Sequence, residues 1–348
     1  MTRLLRWTIF ALVVCSCRAP APAEPPQATT ETPKTAADLL QAFSSATSFW
    51  QQEEVARKIV ALGDKTIIPK MQNYLGTQDR RKRCNAALVL AGLGDKRGVA
   101  MVIKELEDTK PRPTTLTRSD GKPYPEGQIT EDRYYAALLL GQIGDKEAVP
   151  VLIEATKDKT VNYRAAISLG DIGDTSAIPA LRQMVKDFPD QRLWAGYGLA
   201  ALGESEGFDI LTEVALSDSK WTQRRHAVEA MGKTGDPRTI PTVVKALKDT
   251  HVNVRVSAVR ALGKIGHPAA LPALNEALKD TEVTEINAPT TVEKEARKAI
   301  GAIEARKKED RPYKGPLARP QPIAWDPATA PTPGASRSDG PVGSTDHP

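Results

Sequence analysis

A chain of 348 residues with 40% hydrophobic and only 5% aromatic positions has no apolar run of the roughly 20 residues needed to span a bilayer. Its net charge of +5, from 48 basic and 43 acidic residues interspersed along the chain, speaks for solvation rather than for a nucleic-acid surface. Three cysteines, two of them at positions 15 and 17, exclude a disulfide framework, so a packed core must hold the fold.

The N-terminus reads as an export signal. Arg3 and Arg6 precede the short apolar run Trp7 to Val14, and a Cys-Ser-Cys stretch follows. Val14-Cys15-Ser16-Cys17 resembles the lipobox of bacterial lipoproteins, which implies residues 1–16 as signal peptide and Cys17 as the lipidated first residue of the mature chain. An ordinary cleaved signal is the alternative. The resemblance implies membrane attachment through acyl chains. Arg18 stands where an aspartate would mark inner-membrane retention in enteric lipoproteins, which favours the outer membrane, facing the periplasm or the cell surface. Residues 17–34, rich in Pro, Ala and Thr, are expected to form a disordered tether.

From residue 35 to 308 the sequence repeats itself. A glycine closes a recurring phrase at Gly63, Gly94, Gly144, Gly173, Gly203, Gly235 and Gly266, at intervals of 31, 50, 29, 30, 32 and 31 residues. Apolar positions before and after each glycine keep helical spacing, so each copy is a pair of helices. The glycine is expected in a left-handed C-terminal position. Asp64, Asp95, Asp145, Asp174 and Asp236 follow it as N-caps. Pro69, Pro150, Pro179, Pro241 and Pro272 lie six residues past the glycine and are expected to bend the first helix. Arg83, Arg133, Arg192, Arg224 and Arg255 stand eleven residues before it, a column read as a structural ladder between copies.

The phrase from Arg255 to Leu274, RVSAVRALGKIGHPAALPAL, resembles HEAT repeats, closest to the short HEAT-like repeats of the bilin-lyase type. The resemblance implies an all-α fold: a right-handed α-solenoid of about eight helix pairs, first helices outside and second helices lining a concave surface. It implies little chemistry. The four histidines fall singly, and no Cys, His or acidic cluster has metal-ligand spacing, so neither metal nor cofactor is expected. Cys84 beside Arg81, Lys82 and Arg83 is either an activated thiol or a small residue in a packed helix.

Two regions stand out as binding candidates. The first is a column on the second helices that differs in every copy and gathers Tyr135, Trp194, Tyr197, His226, Glu229, Ser257 and Arg260. Variable aromatic and polar positions on a concave solenoid face predict a groove for a protein partner, although Trp194 and Tyr197 could instead fill gaps beside Gly196 and Gly198. The second is an insertion at 109–130, expected as a projecting loop or hairpin carrying Arg112, Arg118, Lys122 and Tyr124. Residues 309–348, with nine prolines and Trp325, are expected to form a disordered tail. The functional expectation is a lipid-anchored, non-catalytic scaffold with a protein partner and no nucleic-acid partner. The alternatives are a lyase-like enzyme or accessory, and envelope-polymer binding through the basic loop.

Overall fold

The computed structural model describes residues 35–308 apart from 113, 115, 118–120 and 285–288. Cys17, Arg118, the tether and the tail lie outside the described residues. Within them, helices fall into eight antiparallel pairs: α1 (Ala36–Ser45) with α2 (Phe49–Leu62), α3 (Ile68–Tyr74) with α4 (Arg80–Gly92), α5 (Arg97–Glu107) with α6 (Pro125–Ile143), and α7 (Val149–Ala155) with α8 (Asn162–Ile172). The series continues with α9 (Ile178–Asp187) and α10 (Arg192–Ala201), α11 (Ser205–Ser217) and α12 (Trp221–Thr234), α13 (Ile240–Ala246) and α14 (Val252–Ile265), and α15 (Leu271–Ala277) and α16 (Val292–Lys308).

The corners follow from glycine. All seven repeat glycines adopt positive φ, from 66° at Gly235 to 90° at Gly94 and Gly203, a conformation open to them because they lack a Cβ. The following aspartate then caps the next segment: the carboxylates of Asp64, Asp145, Asp174 and Asp236 each accept the N–H two residues on, at 2.8–3.0 Å. Each capped segment opens with a single 3-10 turn, such as Lys65–Ile67 or Pro268–Ala270.

The recurring prolines do not bend a helix already under way. Each stands at the second residue of the α-helix that follows the 3-10 turn, where the missing N–H has no intrahelical partner to lose. The proline thus marks the change from 3-10 to α geometry, and the turn itself re-aims the chain.

Second helices stack directly on second helices along the rod: α2 on α4, α6 on α8, α8 on α10, α12 on α14, and α14 on α16. First helices touch their counterparts far less, so the second helices form the inner, closer-packed side of the curve. Small residues permit this approach. A Cβ on Gly232 would lie 2.7 Å from the Cα of Ala261, so α12 and α14 touch backbone to backbone there. Buried Ala, Leu and Val side chains fill the layer between first and second helices from Leu39 to Ile303.

The arginine column ties successive copies together. Arg133, Arg224 and Arg255 pair with Asp158, Asp249 and Asp280, each 25 residues further on. The same arginines donate to a carbonyl in the last turn of the preceding first helix or just after it: Leu106 at 2.8 Å, Asp218 at 2.9 Å and Asp249 at 2.9 Å. Asp249 therefore accepts Arg224 of the preceding copy through its carboxylate and Arg255 of its own copy through its main chain, and Arg255 passes the link to a third copy at Asp280. Arg83 does the same with Glu105 and the Thr77 carbonyl. Arg192 departs from the pattern. It is the first residue of α10, whereas Arg83, Arg224 and Arg255 are each the fourth of their helices, and it forms an exposed pair with Glu213.

Candidate functional site: an aromatic ladder on the second helices

Rings from five different copies touch in series along the inner helices. Phe49 stacks on Tyr135 with centroids 4.4 Å apart, and Trp50 meets the same ring edge-on at 5.6 Å. Tyr135 leads to Tyr134 at 5.4 Å, Tyr134 to Tyr163 at 5.7 Å, Tyr163 to Trp194 at 6.2 Å, and Trp194 to His226 at 5.4 Å. These separations are within the range of favourable aromatic pairs. Arg225 then carries the row onward: it meets the His226 Nε2 at 2.9 Å and lies over Trp221, whose ring stacks on His251 at 3.9 Å and 15°. Phe49 is buried, whereas Trp50, Tyr134, Tyr135, Tyr163, Trp194 and His226 are each partly exposed, so the row is a surface as well as a contact chain.

Helix register explains the placement. In α8 to α12 the rings lie near the helix starts: Tyr163 is the second residue of α8, Trp194 the third of α10 and His226 the sixth of α12. The tight corners give all second helices the same direction, so residues near their starts share one edge of the inner face. Arg164 strengthens the centre, donating to the Tyr134 hydroxyl at 2.5 Å with its guanidinium 4.7 Å from that ring.

The structure brings Tyr135, Trp194 and His226 into the ladder but removes Tyr197 from any surface. Tyr197 is 1% exposed, packed inside the second-helix stack. Its hydroxyl donates to Asp171 at 2.5 Å, and Lys233 donates to the other oxygen of that carboxylate at 2.7 Å from above the Tyr197 ring. Burial, and then the Asp171 charge, push the phenol well above its usual value, so it stays a neutral donor. Burial lowers Lys233, with Asp171 pulling the other way. This trio bolts three copies together beneath the ladder.

Much of the predicted column is a seam rather than a groove. Ser257 is buried, as are Asn85 and Val254, which occupy the same column in α4 and α14. Asn85 donates to the Phe49 carbonyl at 3.2 Å, and Ser257 donates to Glu229 at 2.8 Å, each reaching back to the preceding second helix. Arg260 is 47% exposed and pairs with Glu295 of α16 at 3.2 Å. Glu229 and Arg260 thus act between copies. Tyr134, Tyr163, Phe49 and Trp50 belong to the ladder but lie outside the variable column. Their signal in the sequence is aromatic identity alone, in a chain where such residues are scarce.

The insertion is shorter than expected as a loop. Residues Pro125 to Thr130 are the first turns of α6, with Pro125 at the helix start and Glu126 in the first turn. The remainder turns back on itself through an antiparallel bridge between Thr117 and Pro123, and the Tyr124 N–H donates to the Leu116 carbonyl at 2.8 Å. Arg112 does not project. Its guanidinium lies among Asp132 at 2.9 Å, Asp108 and Arg80, in a balanced, largely buried cluster with Arg83 and Glu105. Lys122 and Tyr124 stand on the exposed side.

Cys84 is buried in α4, and burial followed by the Glu105 charge pushes its thiol up to about 12. The neighbouring arginines are turned to carboxylates and do not activate it. Among the described residues no group of three or more His, Cys, Asp and Glu side chains could hold a metal ion, and no helix is long and apolar enough to cross a membrane.

These features define an α-solenoid with a ring-lined inner face. The profile of HEAT repeats matches residues 129–200 and 208–290. Among solved structures, the chain is similar to the complex of CpcE and CpcF of phycocyanin lyase from Nostoc sp. PCC7120, at 23% identity over 68% of this chain and 94% of that one, with a TM-score of 0.43. It is also similar to human deoxyhypusine hydroxylase, at 18% identity over 77% and 95% of the two chains with a TM-score of 0.32. A computationally designed armadillo repeat protein for modular peptide recognition shares 18% identity over 68% and 99%, with a TM-score of 0.27. A search of curated proteins finds no match to the chain. At these TM-scores none of the structural likenesses bears on activity.

Proposed function

We propose that the protein is a non-catalytic scaffold that binds a protein partner along the ring ladder of its second helices. The observation that carries this reading is the continuous series of ring contacts from Trp50 to His226, partly exposed and confined to the inner side of a HEAT solenoid. Large, rigid aromatic faces supply contact area at low entropic cost, and an extended solenoid face presents them in a line. The buried, protonated Cys84 supports the non-catalytic reading. The lipobox-like stretch ending in Cys17 supports tethering at the bacterial envelope, with the outer membrane favoured.

Alanine at Trp194 together with alanine at His226 tests the binding surface. Capture of the native partner should fall by about one and a half to three orders of magnitude, each truncated anchor costing about 1–2 kcal/mol, while far-ultraviolet circular dichroism is unchanged. A control, Arg182→Ala on α9, removes only an exposed pair with Glu204 and Glu206 and should leave capture intact. Equal capture by all three proteins would contradict the reading.

A further inference from the structure

Resting on the ladder as the binding surface, we infer that its partner is an acidic polypeptide segment bound in extended form. Its carboxylates would be received by Arg164 of α8 and Arg225 of α12, on the helices either side of Trp194. Charge complementarity selects this occupant, and the spacing of the two guanidinium groups sets its pattern.

Most guanidinium groups on the second helices are already spent. Arg83, Arg133, Arg224 and Arg255 each hold a carboxylate of the next copy. Arg164 differs: among the described residues its one hydrogen bond goes to the Tyr134 hydroxyl, and no carboxylate pairs with it. Arg225 meets the His226 ring nitrogen, and its contact with Glu229 is long, at 3.5 Å. A guanidinium has five N–H donors, so both keep most of theirs unused. Both also lie over rings, Tyr134 at 4.7 Å and Trp221 at 5.8 Å. A guanidinium placed over a ring keeps its in-plane donors open to a carboxylate. Both side chains are partly exposed, so a ligand can reach them.

The carboxylates further along the same two helices are engaged elsewhere. Asp171 is held by Tyr197 and Lys233, and Glu229 accepts from Ser257. Burial lowers Lys233 and Asp171 raises it, while Arg164 and Lys264 repel its ammonium. Positive charge therefore gathers on this part of the inner face.

Spacing favours a peptide over a nucleic acid. Second helices packed at about 10 Å place α8 and α12 roughly 20 Å apart. An extended polypeptide covers that span in about six residues at ~3.3 Å each, so two acidic side chains six apart share a face and meet the two arginines. A single nucleic-acid strand would set several phosphates over the same span against only two open cations. The rings, tilted by 36–47° at separations of 5.4–6.2 Å, leave no slot between them for a base.

Fluorescence anisotropy on the full chain reads the preference. The probe is a labelled peptide of alternating valine and threonine with two glutamates six places apart; its counterparts carry glutamine or lysine there, and a labelled oligothymidylate is the nucleic-acid arm. The glutamate peptide should bind about tenfold more tightly than the glutamine peptide, as two partly exposed ion pairs imply, and the lysine peptide least. Arg164→Gln with Arg225→Gln should erase that preference at an unchanged thermal melt, whereas Arg164→Lys with Arg225→Lys should retain part of it. Raising salt from about 0.05 to 0.5 M, which needs no variant, should shrink the preference several-fold. Equal binding of the peptides, binding of none, indifference to salt, a preference that survives the glutamine pair, or tighter binding of the oligothymidylate would each overturn the inference. Trp194→Ala separates it from the binding reading. Peptide binding that is lost with Trp194→Ala but shows no glutamate preference keeps the ladder as the binding surface and removes the acidic occupant. A glutamate preference lost with the arginines but unmoved by Trp194→Ala keeps the arginine pair and removes the rings.

Discussion

Arg192 and Arg224 occupy the same place in the repeated phrase, and their loss should cost very different amounts. Arg224 holds Asp249 with two bonds, at 2.6 and 2.8 Å, and the Asp218 carbonyl with a third at 2.9 Å. Its side chain is 13% exposed and that of Asp249 is 9%. Arg224→Ala therefore leaves a nearly buried carboxylate without its cation, a change that costs about 3 kcal/mol. Arg192 and Glu213 are 37% and 58% exposed, so Arg192→Ala should cost no more than about 0.5 kcal/mol. Urea unfolding followed by circular dichroism gives the difference. Hydrogen exchange adds its location: in Arg224→Ala the loss of protection should centre on α12, α13 and α14. A double variant, Arg224→Met with Asp249→Met, should recover part of the loss because no charge is then left buried. Equal costs for the two arginine variants would refute the view that the repeated arginine stabilises by linking copies.

Acid should weaken the C-terminal copies in a defined window. Burial works to raise Glu295, but bonds from Arg260, Lys298 and Thr290 outweigh it and hold its carboxyl at about 2, against an ordinary 4.5. Its stabilising share is present above pH 4.5 and is lost as pH falls toward 2, so Glu295→Gln should flatten that limb of the pH–stability curve. Gly232→Ala should destabilise by about 1–3 kcal/mol, because the added methyl meets the Ala261 backbone; thermal melts check it. Tyr197→Phe should cost about 1 kcal/mol in urea unfolding, leaving Asp171 with Lys233 alone. Cys84 should resist thiol reagents at neutral pH in the native protein and react at once in urea, read by mass spectrometry.

The helix pairs were legible because each corner is written in a few local letters. Gly then Asp dictates a left-handed residue and a cap, and nothing distant can alter that requirement. The arginine column was legible as structure, although its acceptor, 25 residues on, belongs to the next copy. What the repeat could not display is which flank of a second helix meets its neighbour. Asn85 and Ser257 look like surface positions by period, yet the helix-on-helix stack covers them. Small register changes also shift the rings between copies. Helix α10 ends at Ala201, two residues before its glycine, and α8 begins only at Asn162, so Tyr163 and Trp194 meet in space without occupying equivalent letters. Tyr197 shows the opposite error: an aromatic in the variable column that the stack uses as core. The proline at the sixth position was misleading for a simpler reason, since the 3-10 turn before it restarts the helix.

The central claim is that binding occurs on the second-helix ladder, and a crosslinking scan tests it most directly. Photoreactive residues would be placed singly at Tyr163, Trp194 and His226 on the inner side, and at Lys157, Gln183 and Lys245 on the outer connections and first helices, in the full chain within its native cells. The account predicts one partner captured from the three inner positions and not from the three outer ones. Capture from the outer positions with none from the ladder would contradict it.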